Sequence, residues 1–185
     1  ALRSVALLES NRLDEWNELC DFDRLIQTQI IDVPGGYPDL QSFNEALLQR
    51  CANDEDLTFE PYIKSIKIGR RIDHLNNDPM SSPVYQLLNY VNNAAERYKA
   101  DHPIDTRHPY LAQNPGKWDI YAFGSILEEH GYHVPHIHPE AWLSGVYYGK
   151  LPAVMATENK KREGWIEFGR PQNYVDNGNS SEFHF

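Results

Sequence analysis

The sequence predicts a helix-rich first half, followed by short antiparallel strands arranged as a barrel or a sandwich. Capped amphipathic segments before residue 116, and short aromatic or β-branched runs separated by turn residues after it, lead to this expectation. A chain of 185 residues, 41% of them hydrophobic, is long enough for one domain with a substantial core. We therefore expect a single domain with a helical lead-in (residues 1–20), a helix-rich support (21–116) and a β core (117–185).

The helices are predicted from spacing and caps. Residues 2–20 carry apolar side chains at mixed helical spacing and should form two short helices. Asp39 is a favourable N-cap for a helix that runs through Cys51. Ser82 and Pro83 begin the clearest helix, because a proline in the first turn loses no hydrogen bond there. Its apolar stripe reads as core: Val84, Leu87, Leu88, Val91, Ala95 and Tyr98.

The strands are predicted from alternation and from apolar runs. Five segments have this character: 25–33, 62–69, 118–123, 141–151 and 165–168. A proline- and glycine-rich loop at 34–38 follows the first of them. His102 and His108 lie in another loop, each directly before a proline, and we interpret both as surface residues.

Composition excludes several classes of protein. The 17 basic and 27 acidic residues give a net charge of −10, which argues against nonspecific binding to nucleic acid or to an anionic membrane. No apolar run approaches the roughly 20 residues of a membrane helix, and the first residues do not resemble a signal peptide. Cys20 and Cys51 lack a CxxC spacing, which favours two free thiols in a reducing cytoplasm over a disulfide.

Three of the eight histidines fall within six residues, at His133, His136 and His138. In an extended chain alternate side chains share a face, so His136 and His138 could hold one metal ion. Imidazoles suit Fe, Zn, Cu and Ni alike, and the spacing does not name the metal. His133 has the opposite parity, which favours a supporting role. Glu140 shares the parity of His138 and is an alternative ligand, unless a turn at the intervening proline resets the alternation.

The residues around this pair resemble the Fe(II)- and 2-oxoglutarate-dependent oxygenases, in particular a bacterial group often found behind tetratricopeptide repeats. That group carries Gly-(Tyr/Phe)-His-x-x-His-x-His-Pro-x-x-Trp-(Ile/Leu)-Ser, then a Tyr-Tyr strand and Leu-Pro, as residues 131–152 do here. A second block, Gly-Trp-Ile-x-Phe-Gly-x-Pro, matches residues 164–171. Upstream, residues 21–26, 34–37 and 43–47 (Phe-Asn-Glu-Ala-Leu) also look similar.

The resemblance implies a mainly β fold, namely a double-stranded β-helix (a jelly-roll, cupin-like barrel) with helices from the N-terminal half packed outside. It implies Fe(II) and 2-oxoglutarate as cofactors, with O₂ and a small-molecule or peptide as substrates. Oxidative decarboxylation would yield succinate and CO₂ while a C–H bond is hydroxylated. His136 matches the first iron ligand, and His138 stands where the wider superfamily has a carboxylate. Tyr148 and Ser144 would bind 2-oxoglutarate, and Trp142 and His133 would line the pocket.

One part of the expected site has no match. The family's distal histidine lies in a later strand of the form Phe-Pro-Ser-x-x-x-His, followed by an arginine that pairs with 2-oxoglutarate. His184 lacks that context, so we expect it not to be the distal ligand. An incomplete barrel would expose strand edges. Because the chain also starts with alanine, we expect a trimmed sequence whose closing strands lie outside it.

Two other functions compete with this one. The chain could be a noncatalytic binding or sensing barrel with an incomplete metal site, an alternative motivated by the missing histidine and arginine. It could also be a cupin-like enzyme that uses Zn or Mn without 2-oxoglutarate. The substrate and the oligomeric state lie beyond what the sequence indicates.

Overall fold

The computed structural model describes residues 2–156 and 164–169. The chain divides into two compact units. Unit 1 comprises residues 1–29, 135–139 and 151–185, and unit 2 comprises residues 30–134 and 140–150. The chain passes from unit 2 to unit 1 after Val134 and returns to unit 2 after Pro139, so His136 and His138 belong to unit 1.

Unit 1 begins with three short helices: α1 (Leu2–Glu9), α2 (Leu13–Cys20) and α3 (Phe22–Leu25). The predicted pair of helices over residues 2–20 is confirmed. Trp16 holds α1 and α2 together, because its buried indole donates a hydrogen bond to Ser4 Oγ at 2.9 Å. Asp21 ends α2 in the left-handed conformation, and its N–H bonds to the Asn17 carbonyl.

Unit 2 contains the two longest helices, α4 (Leu40–Ala52) and α5 (Pro83–Asp101). Both predicted caps are confirmed. The Asp39 carboxylate accepts from Ser42 N at 2.7 Å, and the Ser82 hydroxyl accepts from Val84 N at 3.1 Å. The helices meet at a buried core cluster: Cys51, Ile72, Leu75 and Val84, with Leu47, Leu57, Leu88, Ala122 and Ile126 packed against it.

An ionic network ties the end of α4 to the start of α5. Arg50 forms a two-point ion pair with Asp78, with nitrogen–oxygen distances of 2.9 and 2.7 Å, and also bonds to Asp54. Asp78 in turn accepts from the capping hydroxyl of Ser82 at 2.5 Å. Hydrogen bonds that Arg50 donates to Asp78 and then to Asp54 raise the pKa of Arg50, so this side chain is a permanent cation. The Asp78 side chain is only 5% exposed, which makes the pair stronger than a surface salt bridge.

The sheet of unit 2 has three antiparallel strands in the order β1-β2-β3. These are β1 (Thr58–Phe59), β2 (Ile66–Ile72) and β3 (Gly124–His133). Short 3₁₀ turns occupy residues 75–77 and 111–113, and a third lies in unit 1 at 153–156.

A bulge interrupts the pairing of β2 with β3. Gly69 pairs with Leu127, whereas Lys67 pairs with Tyr132, so one residue of β2 faces four residues of β3. Gly131 allows this crossing, because a Cβ there would lie 2.4 Å from the Ile68 carbonyl oxygen. The bulge therefore explains the glycine that begins the histidine motif.

Several predicted strands are wrong. Segment 62–69 contributes only its second half to β2, and segments 25–33, 118–123 and 141–151 contain no strand. Segment 165–168 has a single bridge residue. A strand exists only where a neighbouring backbone completes its hydrogen bonds, and the described residues supply no partner for these runs. The described fold is thus helices plus a small antiparallel sheet, and a double-stranded β-helix is not confirmed.

The surface assignment of two histidines is also wrong. His102 and His108 are 3% and 7% exposed. Each satisfies backbone groups at a helix end: His102 Nδ1 donates to the last turn of α5 at the Tyr98 carbonyl (2.7 Å), and His108 Nδ1 accepts from Leu111 N (3.3 Å). Both histidines are buried because their rings bond to backbone groups at helix ends.

Two further expectations can be compared with the structure. Cys20 and Cys51 are free thiols, as predicted, and burial raises the pKa of both. Among the described residues, no helix combines the length and the hydrophobicity needed to cross a membrane.

Candidate metal and cofactor site

Two contacts with Ser65 hold the chain where it leaves β3, shortly before His136 and His138. At the end of β3, His133 pairs with Ile66, and its Nδ1 lies 2.9 Å from Ser65 Oγ. The next residue, Val134, donates its N–H to the Ser65 carbonyl oxygen at 2.9 Å. His133 is half-buried and held by the fold, which agrees with the supporting role expected from its parity.

His136 and His138 follow a bend at Pro135 and lie in irregular backbone. Their rings are adjacent, with centroids 4.9 Å apart and planes inclined by 67°. A ring bound through nitrogen centres about 3.2 Å from its metal, so two rings on one ion lie roughly 4.5–5.2 Å apart. The observed separation lies in this range, although the backbone is not the strand from which we predicted the pair.

The carboxylate alternative is less well supported. Pro139 and Glu140 form a turn, so the alternation that related Glu140 to His138 does not continue. Glu140 is exposed. Within residues 2–156 and 164–169, no group of three or more His, Cys, Asp or Glu side chains is placed to hold a metal. The described residues thus supply two donors. His184 lies outside them.

Trp142 is fixed in an aromatic cluster of unit 2. It stacks on Tyr110, with ring centroids 5.0 Å apart, and its indole N–H donates to the Tyr110 carbonyl at 3.2 Å. Tyr98 contacts Trp142 edge to face and stacks on the ring of His102. Tyr110 also donates to the Tyr98 hydroxyl at 3.4 Å, and burial raises its pKa well above the usual value. The cluster attaches the segment after the histidines to the end of α5.

The adjacent tyrosines after this anchor differ in their environments. The Tyr147 hydroxyl donates to Asn44 Oδ1 on α4 at 2.6 Å. Tyr148 is 43% exposed, and its hydroxyl has no hydrogen-bond partner within the described part of the chain. Burial raises the pKa of both phenols, so both remain protonated donors at neutral pH. Ser144 lies between Trp142 and Tyr147 in the sequence, and it is exposed.

The structure thus brings together His136 and His138, the two residues we ranked first as ligands. Both belong to unit 1, whereas His133, Glu140, Trp142, Ser144 and Tyr148 belong to unit 2. Sequence reasoning missed Ser65 and Asn44 as partners of site residues. Asn44 lies in the Phe-Asn-Glu-Ala-Leu block that already resembled the oxygenases, but that resemblance gave it no role.

Comparison with protein families finds a match. Residues 122–185 match the model of a family described as Putative 2OG-Fe(II) oxygenase. The matched segment contains all of β3, the histidine pair and the two tyrosines. Over these residues the chain is similar to the 2OG-Fe(II) oxygenases. A search of curated proteins and a search of solved structures each gave no match.

The match to the 2OG-Fe(II) oxygenase family supports an oxygenase, hence an oxidoreductase, at the level of the family. The family generally uses Fe(II) and 2-oxoglutarate, and it implies O₂ and a small-molecule substrate. The predicted resemblance is confirmed over the block that carries the histidines.

Proposed function

We propose that the protein is an iron- and 2-oxoglutarate-dependent dioxygenase that hydroxylates a C–H bond of a small molecule or a peptide, in the cytoplasm. The observation that carries this proposal is the pair of adjacent imidazoles, 4.9 Å apart, inside the segment that matches the oxygenase family. A metal with imidazole and oxygen ligands and open positions is the site that such chemistry requires.

In this proposal His136 and His138 hold Fe(II) through ring nitrogens, with Glu140 as the alternative to one of them. The fold proposed for the complete site is a double-stranded β-helix, and the distal histidine and the arginine for 2-oxoglutarate are assigned to none of the described residues. When bound, the iron supplies the activation of O₂. The two imidazoles anchor the ion, and their exposure leaves them accessible to it.

Tyr148 and Ser144 are the proposed contacts to 2-oxoglutarate. A protonated phenol donates a strong hydrogen bond to a carboxylate, and the raised pKa of Tyr148 keeps it protonated. Its hydroxyl has no partner among the described residues, so a bound carboxylate would compete with none of these protein groups for it. His133 and Trp142 are proposed to line the pocket, each already fixed by a contact within unit 2.

Turnover of 2-oxoglutarate tests this function. The natural full-length protein, supplied with Fe(II), ascorbate and 2-oxoglutarate, should form succinate even without a hydroxylation substrate. A variant in which both His136 and His138 are replaced by alanine measures the background formation of succinate that iron in solution causes. Succinate at the level of this background, together with no binding of 2-oxoglutarate by calorimetry in the presence of metal, would rule the proposal out.

A noncatalytic metal-binding module is the second candidate. It is motivated by the sequence around His184, which lacks the pattern of the family's distal histidine and its following arginine. Metal binding without 2-oxoglutarate binding would support it. A cupin-like enzyme would instead be recognised by elemental analysis, which should find Zn or Mn rather than Fe in protein purified without added metal.

A further inference from the structure

Two consecutive tyrosines, Tyr147 and Tyr148, have different environments in this fold. Tyr147 points to α4, where its hydroxyl donates to Asn44 at 2.6 Å. Tyr148 follows it in irregular backbone and is 43% exposed. Its hydroxyl has no partner among the described residues, whereas the hydroxyl of Tyr147 is bound within the fold.

The partner of Tyr147 is a rigid one. Asn44 lies in the second turn of α4, directly after Phe43, whose side chain is fully buried. The helix is capped by Asp39, and Leu47, one turn further on, packs against the core cluster. An acceptor on such a helix has a fixed position.

The residue after Tyr148 also lies close to α4. A Cβ placed on Gly149 would lie 3.8 Å from Asn44 Oδ1 and 3.7 Å from Leu47 Cδ2. The residues before and after Tyr148 thus both lie near this helix, whereas the hydroxyl of Tyr148 has no partner among the described residues.

We propose that Asn44 is a positioning residue, which sets the place of the Tyr148 phenol through its hydrogen bond with Tyr147 so that Tyr148 can bind a carboxylate of 2-oxoglutarate. This inference rests on the proposed function. Tyr148 makes the contact, and Asn44 and Tyr147 reduce the conformational freedom lost on binding. Preorganisation of this kind raises affinity without adding a contact.

A double-mutant cycle tests the inference. The dissociation constant of 2-oxoglutarate is measured by calorimetry on the full-length protein with Mn(II), for the wild type, Asn44→Ala, Tyr147→Phe and the double variant. We expect each single change to weaken binding about tenfold and the double change to weaken it no further, because both remove one hydrogen bond. Asn44→Asp keeps an acceptor oxygen and should bind like the wild type. Gln49→Ala, on an exposed position of α4, is the matched control.

The outcomes separate this inference from the proposed function. No binding of 2-oxoglutarate to the wild type contradicts the proposed function. Wild-type binding that Tyr148→Phe weakens, but that Asn44→Ala and Tyr147→Phe leave unchanged, overturns the positioning role alone. A lower melting temperature with an unchanged dissociation constant would mean that the bond only stabilises the fold. If Asn44→Ala does not fold, Tyr147→Phe still removes the bond while keeping the ring.

Discussion

At the scale of single residues, His136 provides the sharpest test of the metal site. Its side chain is exposed in irregular backbone, so replacing it by alanine removes little packing. We expect His136→Ala to lose stoichiometric Fe(II), because one imidazole of a two-histidine pair cannot retain the ion alone. The change in unfolding free energy should stay within about 0.5 kcal/mol, as for other surface substitutions. Metal content by elemental analysis and a denaturation curve measure the two effects.

His130→Ala is the matched control for this variant. His130 is 82% exposed near the end of β3, where its nearest charged neighbour is Glu129 at 3.7 Å. Its removal should leave the iron content unchanged. Full iron occupancy in His136→Ala, or equal loss in both variants, would refute the assignment of His136 as a ligand.

Residue identity alone predicted the wrong environment for two other histidines. His102 and His108 each precede a proline in a polar loop, a context that indicates exposure. In the structure they satisfy backbone groups at helix ends and are buried. A hydrogen bond to a helix terminus depends on where the helix stops, and the sequence locates that boundary only within a few residues.

At the scale of elements, the bulge in β3 depends on one glycine. A methyl group on Gly131 would lie 2.4 Å from the Ile68 carbonyl oxygen and 3.0 Å from that of Glu128, and backbone atoms cannot move aside cheaply. We expect Gly131→Ala to lower the unfolding free energy by about 1–3 kcal/mol, the usual cost of overpacking. Because the bulge directs the chain into the histidine segment, metal affinity should fall as well. Chemical denaturation and metal titration measure both.

Gly145→Ala controls for the intrinsic effect of replacing glycine. Nothing lies within 4 Å of a Cβ at Gly145, and the position is exposed. This variant should be as stable as the wild type or slightly more stable, since alanine restricts the unfolded chain. Equal stability of the two variants would show that β3 does not need its glycine.

The elements that the sequence predicted well are those with local signals. α4 and α5 begin directly after Asp39 and Ser82 as expected, because a capping hydrogen bond spans only two or three residues. The strands were predicted poorly, because alternation indicates a half-buried surface but not the neighbour that pairs with it. Segment 141–151 illustrates the difference: its aromatic residues pack on α4 and α5 instead of joining a sheet.

At the scale of the whole molecule, neighbours predicted from local spacing differ from contacts between residues distant in sequence. The pairing of His136 with His138 followed from a two-residue separation. The contacts of Tyr147 with Asn44 and of His133 with Ser65 span 103 and 68 residues, and no sequence pattern could indicate them. Long-range contacts of this kind follow from tertiary packing, which local signals do not specify.

We expect the unfolding free energy to depend on pH through the carboxylate of Asp73 in unit 2. Asp73 accepts from Arg71 at 2.6 and 2.9 Å and from the Tyr121 hydroxyl at 2.7 Å, and Lys64 lies 3.5 Å away. Arg71 is itself buried and stacks over Phe123 at 3.5 Å. Although burial acts to raise it, hydrogen bonds from Arg71 and Tyr121 lower the pKa of Asp73 from 3.8 to about 2.

Since the folded pKa lies below the unfolded value, this carboxylate stabilises the fold above about pH 4 and loses that effect as the pH falls towards about 2. After discounting for partial exposure, its contribution is about 1 kcal/mol. Asp73→Asn should therefore be less stable than the wild type at pH 7, with the difference shrinking between pH 4 and pH 2.5 in urea denaturation. Asp119→Asn, an exposed control, should follow the wild type at every pH. A pH-independent deficit in Asp73→Asn would mean that the amide disturbs packing and that the ion pair does not couple folding to acid.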